Sequence, residues 1–143
     1  MLNDGLKLTG KLKIALNGET VQEVNNLVVT DGKEYVASRM KDASATAMSH
    51  MAIGSGSTAA AAGNSALGSQ LGRVALTGGT GTVSGAVVTY VATFPAGTGT
   101  GAVTEAGILN ASSSGTLLCR TVFSVVNKGA SDSMTITWTV TVS

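Results

Sequence analysis

Hydrophobic and polar residues alternate with a period of two in several stretches of this 143-residue chain. The pattern is cleanest at Met134–Val142, where Met134, Ile136, Trp138, Val140 and Val142 interleave with Thr135, Thr137, Thr139 and Thr141. Strict alternation of this kind predicts a strand with one face to bury and one that tolerates water. No charge interrupts the stretch. Such a strand lies inside a sheet or has its edge matched to a specific partner, because uncovered edges recruit other chains. Its apolar face predicts Trp138 and Ile136 as core anchors, with Phe94 and Phe123 serving the same role in two other strands.

The same period marks residues 6–16, where Leu6, Leu8, Leu12, Ile14 and Leu16 interleave with Lys7, Lys11 and Lys13. Asn17-Gly18 follows, a pair that tolerates positive φ at both positions and so favours a tight hairpin into a second strand over 20–30. Asp31 and Glu34 have the spacing of a capping box. They predict one short helix near residues 32–41, with Val36 and Met40 inward and Lys33, Glu34, Arg39 and Lys41 in solvent. Residues 48–53 form a candidate strand. Residues 54–72 are a small-residue connection in which Ser65 could cap one turn carrying Leu67 and Leu71. Residues 73–77 and 82–94 suggest a hairpin across Gly78-Gly79-Thr80-Gly81, ending at Pro95, the only proline. Further strands are expected over 105–111 and 116–126.

The expected fold is therefore all-β, a jelly-roll-type sandwich of about eight antiparallel strands with one short helix. The length suits a single domain: a strand pair over 1–30, the helix over 31–42 and the main jelly-roll strands over 47–143.

Composition narrows the function. Gly, Ala, Ser and Thr make up 72 residues, and twelve of the seventeen charged side chains fall within residues 1–42. A formal net charge of +1 gives no basic stripe for nucleic acid. No run of apolar residues is long enough to span a membrane, and the N-terminus lacks the apolar core of a signal peptide. The surface relies on Thr and Ser and has little electrostatic protection against association, which favours a protein packed against others.

Chemistry is sparse. His50 is the only histidine and Cys119 the only cysteine, so no zinc set can be assembled from them, and Cys119 in an apolar run reads as a buried structural thiol. Gly54-Ser55-Gly56-Ser57-Thr58-Ala59 has the look of a phosphate loop but lacks its Gly-Lys-Ser/Thr ending. Beyond residue 42 the only acids, Glu105 and Asp132, are far apart in sequence. Neither an enzyme nor a cofactor is expected. Lys7, Lys11 and Lys13 are a candidate face for an acidic partner, and the Thr135, Thr137, Thr139 and Thr141 row is a second candidate contact. A charged outer face that simply resists edge pairing is the alternative reading of the lysines.

From about residue 48 onward the chain resembles a family of tailed-phage virion proteins. The residues carrying this are Met51-Ala52-Ile53-Gly54-Ser55-Gly56, Ala66-Leu67-Gly68, Arg73-Val74-Ala75-Leu76, Tyr90-Val91-Ala92-Thr93-Phe94-Pro95-Ala96-Gly97 and Glu105-Ala106-Gly107-Ile108-Leu109-Asn110. The run 120–124, then Val126-Asn127-Lys128-Gly129 and the Thr-rich C-terminal strand, complete the match. Within that family the chain is most similar to the cement, or capsid decoration, proteins of podovirus heads, such as that of a Bordetella phage. The resemblance implies a jelly roll that binds outside the joints between major capsid protein subunits, with no catalytic residues. It also implies assembly in the host bacterial cytoplasm, a second copy as partner, and neither nucleic-acid nor membrane contact. A tail or tail-fibre component is the alternative within the family, although the chain shows none of the repeats or heptads common in fibres.

Overall fold

The computed structural model describes residues 5–143. In chain order the elements are β1 (Leu8–Leu16), β2 (Glu19–Val28), α1 (Thr30–Asp42), β3 (His50–Gly54), β4 (Gln70–Ala75), β5 (Thr82–Ser84), β6 (Val87–Phe94), β7 (Gly101–Leu109), β8 (Leu117–Lys128) and β9 (Met134–Val142). The strands lie in the order β4-β3-β7-β8-β2-β1-β9-β6-β5. All the pairings are antiparallel.

The sheet curls over on itself. β2 pairs with β1 along most of its length but with β8 only through Leu27 and Val28, so β2 turns the corner between two halves. At the far side Thr77 N–H donates to the Val91 carbonyl at 2.8 Å. That bond joins the β4 end of the sheet to the part of β6 beyond the reach of the short β5. Leu12, Ile14, Phe94, Ile136 and Trp138 from one half meet Met51, Ile53, Val103 and Ile108 from the other in one core. The result is the expected all-β sandwich or jelly-roll-like fold. Among the described residues it has nine strands rather than about eight, and the two layers are halves of one continuous sheet.

The C-terminal strand follows its pattern: Met134, Ile136 and Trp138 are fully buried while the four threonines are half-buried. Of the other predicted anchors, Phe94 is fully buried and Phe123 nearly so. β9 has no free edge, since β1 pairs on one side and β6 on the other. The Asn17-Gly18 hairpin forms between β1 and β2 with φ of 51° and 83°. It is tied down by Asn17, which donates to Asp132 Oδ1 and accepts from Ser133 N–H, each at 2.9 Å.

Three local expectations are corrected. The helix runs over Thr30–Asp42, and Val29 occupies the cap position with no side-chain bond, so the Asp31/Glu34 capping box does not form. Tertiary contacts set this start instead. Thr30 N–H donates to the Ala62 carbonyl at 2.8 Å and Val29 N–H to the Leu118 carbonyl at 3.2 Å. Gly32 lies so close to β8 that a Cβ there would overlap the Leu118 carbonyl. Val36 packs on the core, but Met40, expected inward, is 77% exposed.

Second, residues 73–77 do not pair with 82–94 as a hairpin. β4 pairs with β3, and β5 forms the hairpin with β6 across Gly85 and Ala86. Arg73 pins β4 to this place by donating through Nη1 to the Ala111 and Ser114 carbonyls at 2.9 Å each. Third, no helical turn forms over 54–69. Leu67 packs against Val29, Ala52, Leu109 and Leu117, and Leu71 belongs to β4.

Candidate interaction face and its buried support

The antiparallel register places Lys11 opposite Thr139, Lys13 opposite Thr137 and Thr9 opposite Thr141. On the other side of β9, Thr139 faces Thr89, Thr137 faces Val91 and Thr135 faces Thr93. Side chains alternate between faces along a strand, so these residues share the outer side of the β1-β9-β6 half. Lys7 extends the lysine row beyond the strand, where its backbone exchanges bonds of 2.7 and 2.9 Å with Ser143. The seven candidate contact residues of the two groups thus lie on one outer face, although their strands are 128 residues apart at Lys11 and Thr139.

That face is pleated, small-featured and weakly basic. Thr93 and Thr135 hydroxyls bond across strands at 3.0 Å, and Thr139 Oγ1 donates to the Lys11 carbonyl at 3.3 Å. These bonds fix the rotamers of Thr93, Thr135 and Thr139, so those residues lose little side-chain entropy on contact. Glu23 approaches Lys11 at 3.9 Å, with both side chains more than half exposed, a pairing of small energetic weight. β1 and β9 are interior strands, so edge-strand addition is closed to these residues and a partner meets them through the face.

Sequence reasoning missed a second feature. Glu105 on β7 and Arg120 on β8 form an ion pair at 3.0 Å, with relative exposures of 0% and 2%. The Glu105 carboxylate also accepts the backbone N–H groups of Gly56, Gly68 and Ser69 at 2.6, 2.7 and 2.8 Å. Arg120 donates onward to Asn64 Oδ1 at 3.0 Å and to the Thr58 carbonyl at 3.1 Å. The Gly-rich stretch that superficially suggested a phosphate loop therefore does meet an anion, through Gly56 N–H, and that anion is the chain's own Glu105. A Cβ at Gly56 would overlap the carboxylate, so only glycine lets the backbone approach this closely. Gly54-Ser55-Gly56, Gly68, Glu105 and Arg120, which carry much of the family resemblance, converge on this one knot. A charge in the middle of an apolar strand was the available signal, because buried charges must be paired.

Burial alone would raise the Glu105 carboxyl. The N–H groups of Gly68 and Ser69, the Arg120 guanidinium and the Gly56 N–H outweigh it and hold the group below the usual carboxylate range. A depressed folded-state value contributes stability above the unfolded value of about 4.3, and this is lost as pH falls through the folded value. Urea midpoints should therefore fall below about pH 4. The same scan on Glu105→Gln should have a shallower acid limb, and equal acid limbs would show that the carboxylate is not the titrating group.

Among the described residues the remaining candidates lie apart from one another. Ser49 Oγ lies 2.7 Å from His50 Nδ1, yet the two are sequence neighbours at a half-buried strand start, and among the described residues no carboxylate bonds to the ring. Cys119 is buried, and burial pushes its thiol well above the ordinary value. Lys128, 1% exposed, donates to the Pro95 carbonyl at 2.9 Å, tying the end of β8 to the end of β6. Among the described residues no group of three or more His, Cys, Asp or Glu side chains could hold a metal ion. No described helix is long and apolar enough to cross a membrane. No family model, curated protein or solved structure matches the chain in comparisons with each.

Proposed function

We propose that this protein is a structural virion protein, a cement or decoration protein that binds the outside of a capsid and bridges neighbouring major capsid protein subunits. The observation that carries the reading is the outer face on which Lys7, Lys11 and Lys13 flank the Thr135, Thr137, Thr139 and Thr141 column. It is a broad face on interior strands, preset by cross-strand bonds. Its chemistry suits a large protein surface better than a small substrate. The family resemblance supplies the identity of that surface.

In this reading each copy, paired with a second, lies across a joint between capsid subunits and resists the outward load of packaged DNA. A standard contact of about 800 Å² per partner is moderate alone. Two contacts from one bridging unit convert the second into an intramolecular event and raise the avidity. Neither a catalytic group nor a cofactor takes part.

Particles stripped of this protein should lose resistance to heat and osmotic shock before they lose DNA, and adding the protein back should restore it. Unchanged rupture behaviour would sink the proposal. Copy number separates the rival placement: on the order of hundreds per particle fits a head surface that gains by multivalency, whereas a few dozen or fewer fits a tail or tail-fibre component.

A further inference from the structure

A groove runs between α1 and the open end of the β1-β9-β6 half, away from the Thr/Lys face. Its floor is Leu8, Val88, Val140 and Val142, which belong to the core-facing rows of their strands. Val36 and Met40 of α1 form its wall. Two cavities of about 320 and 610 Å³ share Leu8, Val36, Met40 and Val142, so the apolar surface continues from one to the other. Each is within the range of about 300–1,000 Å³ typical of small-molecule sites. Met40 at 77% and Leu6 at 67% exposure stand at the mouth, where large apolar side chains in water need a reason.

Among the described residues the charged side chains lining this groove have one sign. Lys33 lines the outer cavity and Arg39 the inner one, and neither cavity is lined by an acid. Asp31 and Glu34 line a different recess, with Ser38 and Thr116. The Arg39 guanidinium is held by the carbonyls of Ala43 and Ala45 through Nη1, at 3.4 and 2.8 Å. Among the described residues Lys33 has no ion-pair partner. An occupant complementary to this site is apolar along most of its length and anionic at the end beside Lys33.

From this we infer that the groove binds a long-chain anionic amphiphile of the fatty-acid class, with its alkyl chain under Val36 and Met40 and its carboxylate at Lys33. An extended peptide fits less well, because its backbone N–H and C=O groups would lie against an apolar floor without partners. A second copy seated by its own α1 would bring Lys33 and Arg39, the charges that line the groove, of both molecules together, and like charges at a contact oppose it. An alkyl chain carries neither penalty.

Isothermal titration of the full-length protein with dodecanoate, below its micelle concentration, tests this. Saturable binding of one molecule per chain is expected. Dodecanol, which lacks the charge, should bind at least about tenfold more weakly, and Lys33→Glu should weaken dodecanoate by a similar factor, the scale of a close charge contact. Ala37→Trp, on the exposed helix surface at the outer cavity, should abolish binding while leaving the thermal midpoint near wild type. Failure of dodecanoate to saturate, equal affinity for dodecanol, or unchanged binding by either variant would overturn the inference. So would concentration-dependent dimerisation that Ala37→Trp abolishes, because the groove would then belong to a second copy.

Discussion

Glu105→Ala is expected to destabilise the protein by about 3–5 kcal/mol, because it leaves the Arg120 guanidinium buried without its counter-charge. Arg120 is 2% exposed and Glu105 fully buried, so neither can turn to solvent without lifting the 55–69 connection off β7 and β8. The loss reaches beyond the pair. Gly56, Gly68 and Ser69 would each lose the charged acceptor of a backbone N–H, although Gly68 and Ser69 are exposed and water can replace theirs in part. Those N–H groups belong to the connection between β3 and β4, so that connection should loosen first. Faster amide exchange across 55–69, alongside a lowered urea midpoint, would check this. Removing both charges with Glu105→Leu and Arg120→Leu should cost less than the sum of the single changes. A Glu105→Ala protein with wild-type stability would mean that water reaches the pair.

Trp138→Ala should also cost about 3–5 kcal/mol, through lost burial and the cavity left behind. Trp138 is fully buried, and the register places it between Leu12 on β1 and Tyr90 on β6. It therefore fills the middle of three adjacent strands, which are too firmly paired to collapse around a small replacement. Among the described residues its Nε1 has no hydrogen-bond partner, so the residue contributes by volume. Trp138→Phe, which keeps a ring and removes the orphan donor, should be much milder. Chemical denaturation of both variants checks the order, and equal stability of Trp138→Ala and wild type would contradict core burial.

Both predictions separate what a strand pattern can say from what it cannot. At Met134–Val142 alternation alone identifies which residues turn inward, because the strand period is a local property of the backbone. Asn17-Gly18 defines its hairpin for the same reason: two adjacent residues set both the turn type and the register of β1 on β2. The lysine and threonine rows could each be assigned a face before any fold was known.

Neighbour choice was a different matter. Alternation says which face a strand buries but not which strand lies beside it, and a period of two fits any partner equally well. So β4 took β3 where a local hairpin with the 82–94 arm was expected, and β9, expected either inside a sheet or with its edge matched to a partner, took both β1 and β6. The helix start passed over its local capping signal because Ala62 and Leu118 carbonyls accept the backbone N–H groups there. Glu105 and Arg120, 15 residues apart, become partners only because β7 and β8 pair with Gly107 opposite Arg120. By itself, the sequence determined the strands, their inward faces and the first hairpin, all consequences of residues within a few positions of one another. Tertiary structure alone decided the strand order, the union of the Lys and Thr rows and the buried ion pair, since each depends on contacts between segments that share no local signal.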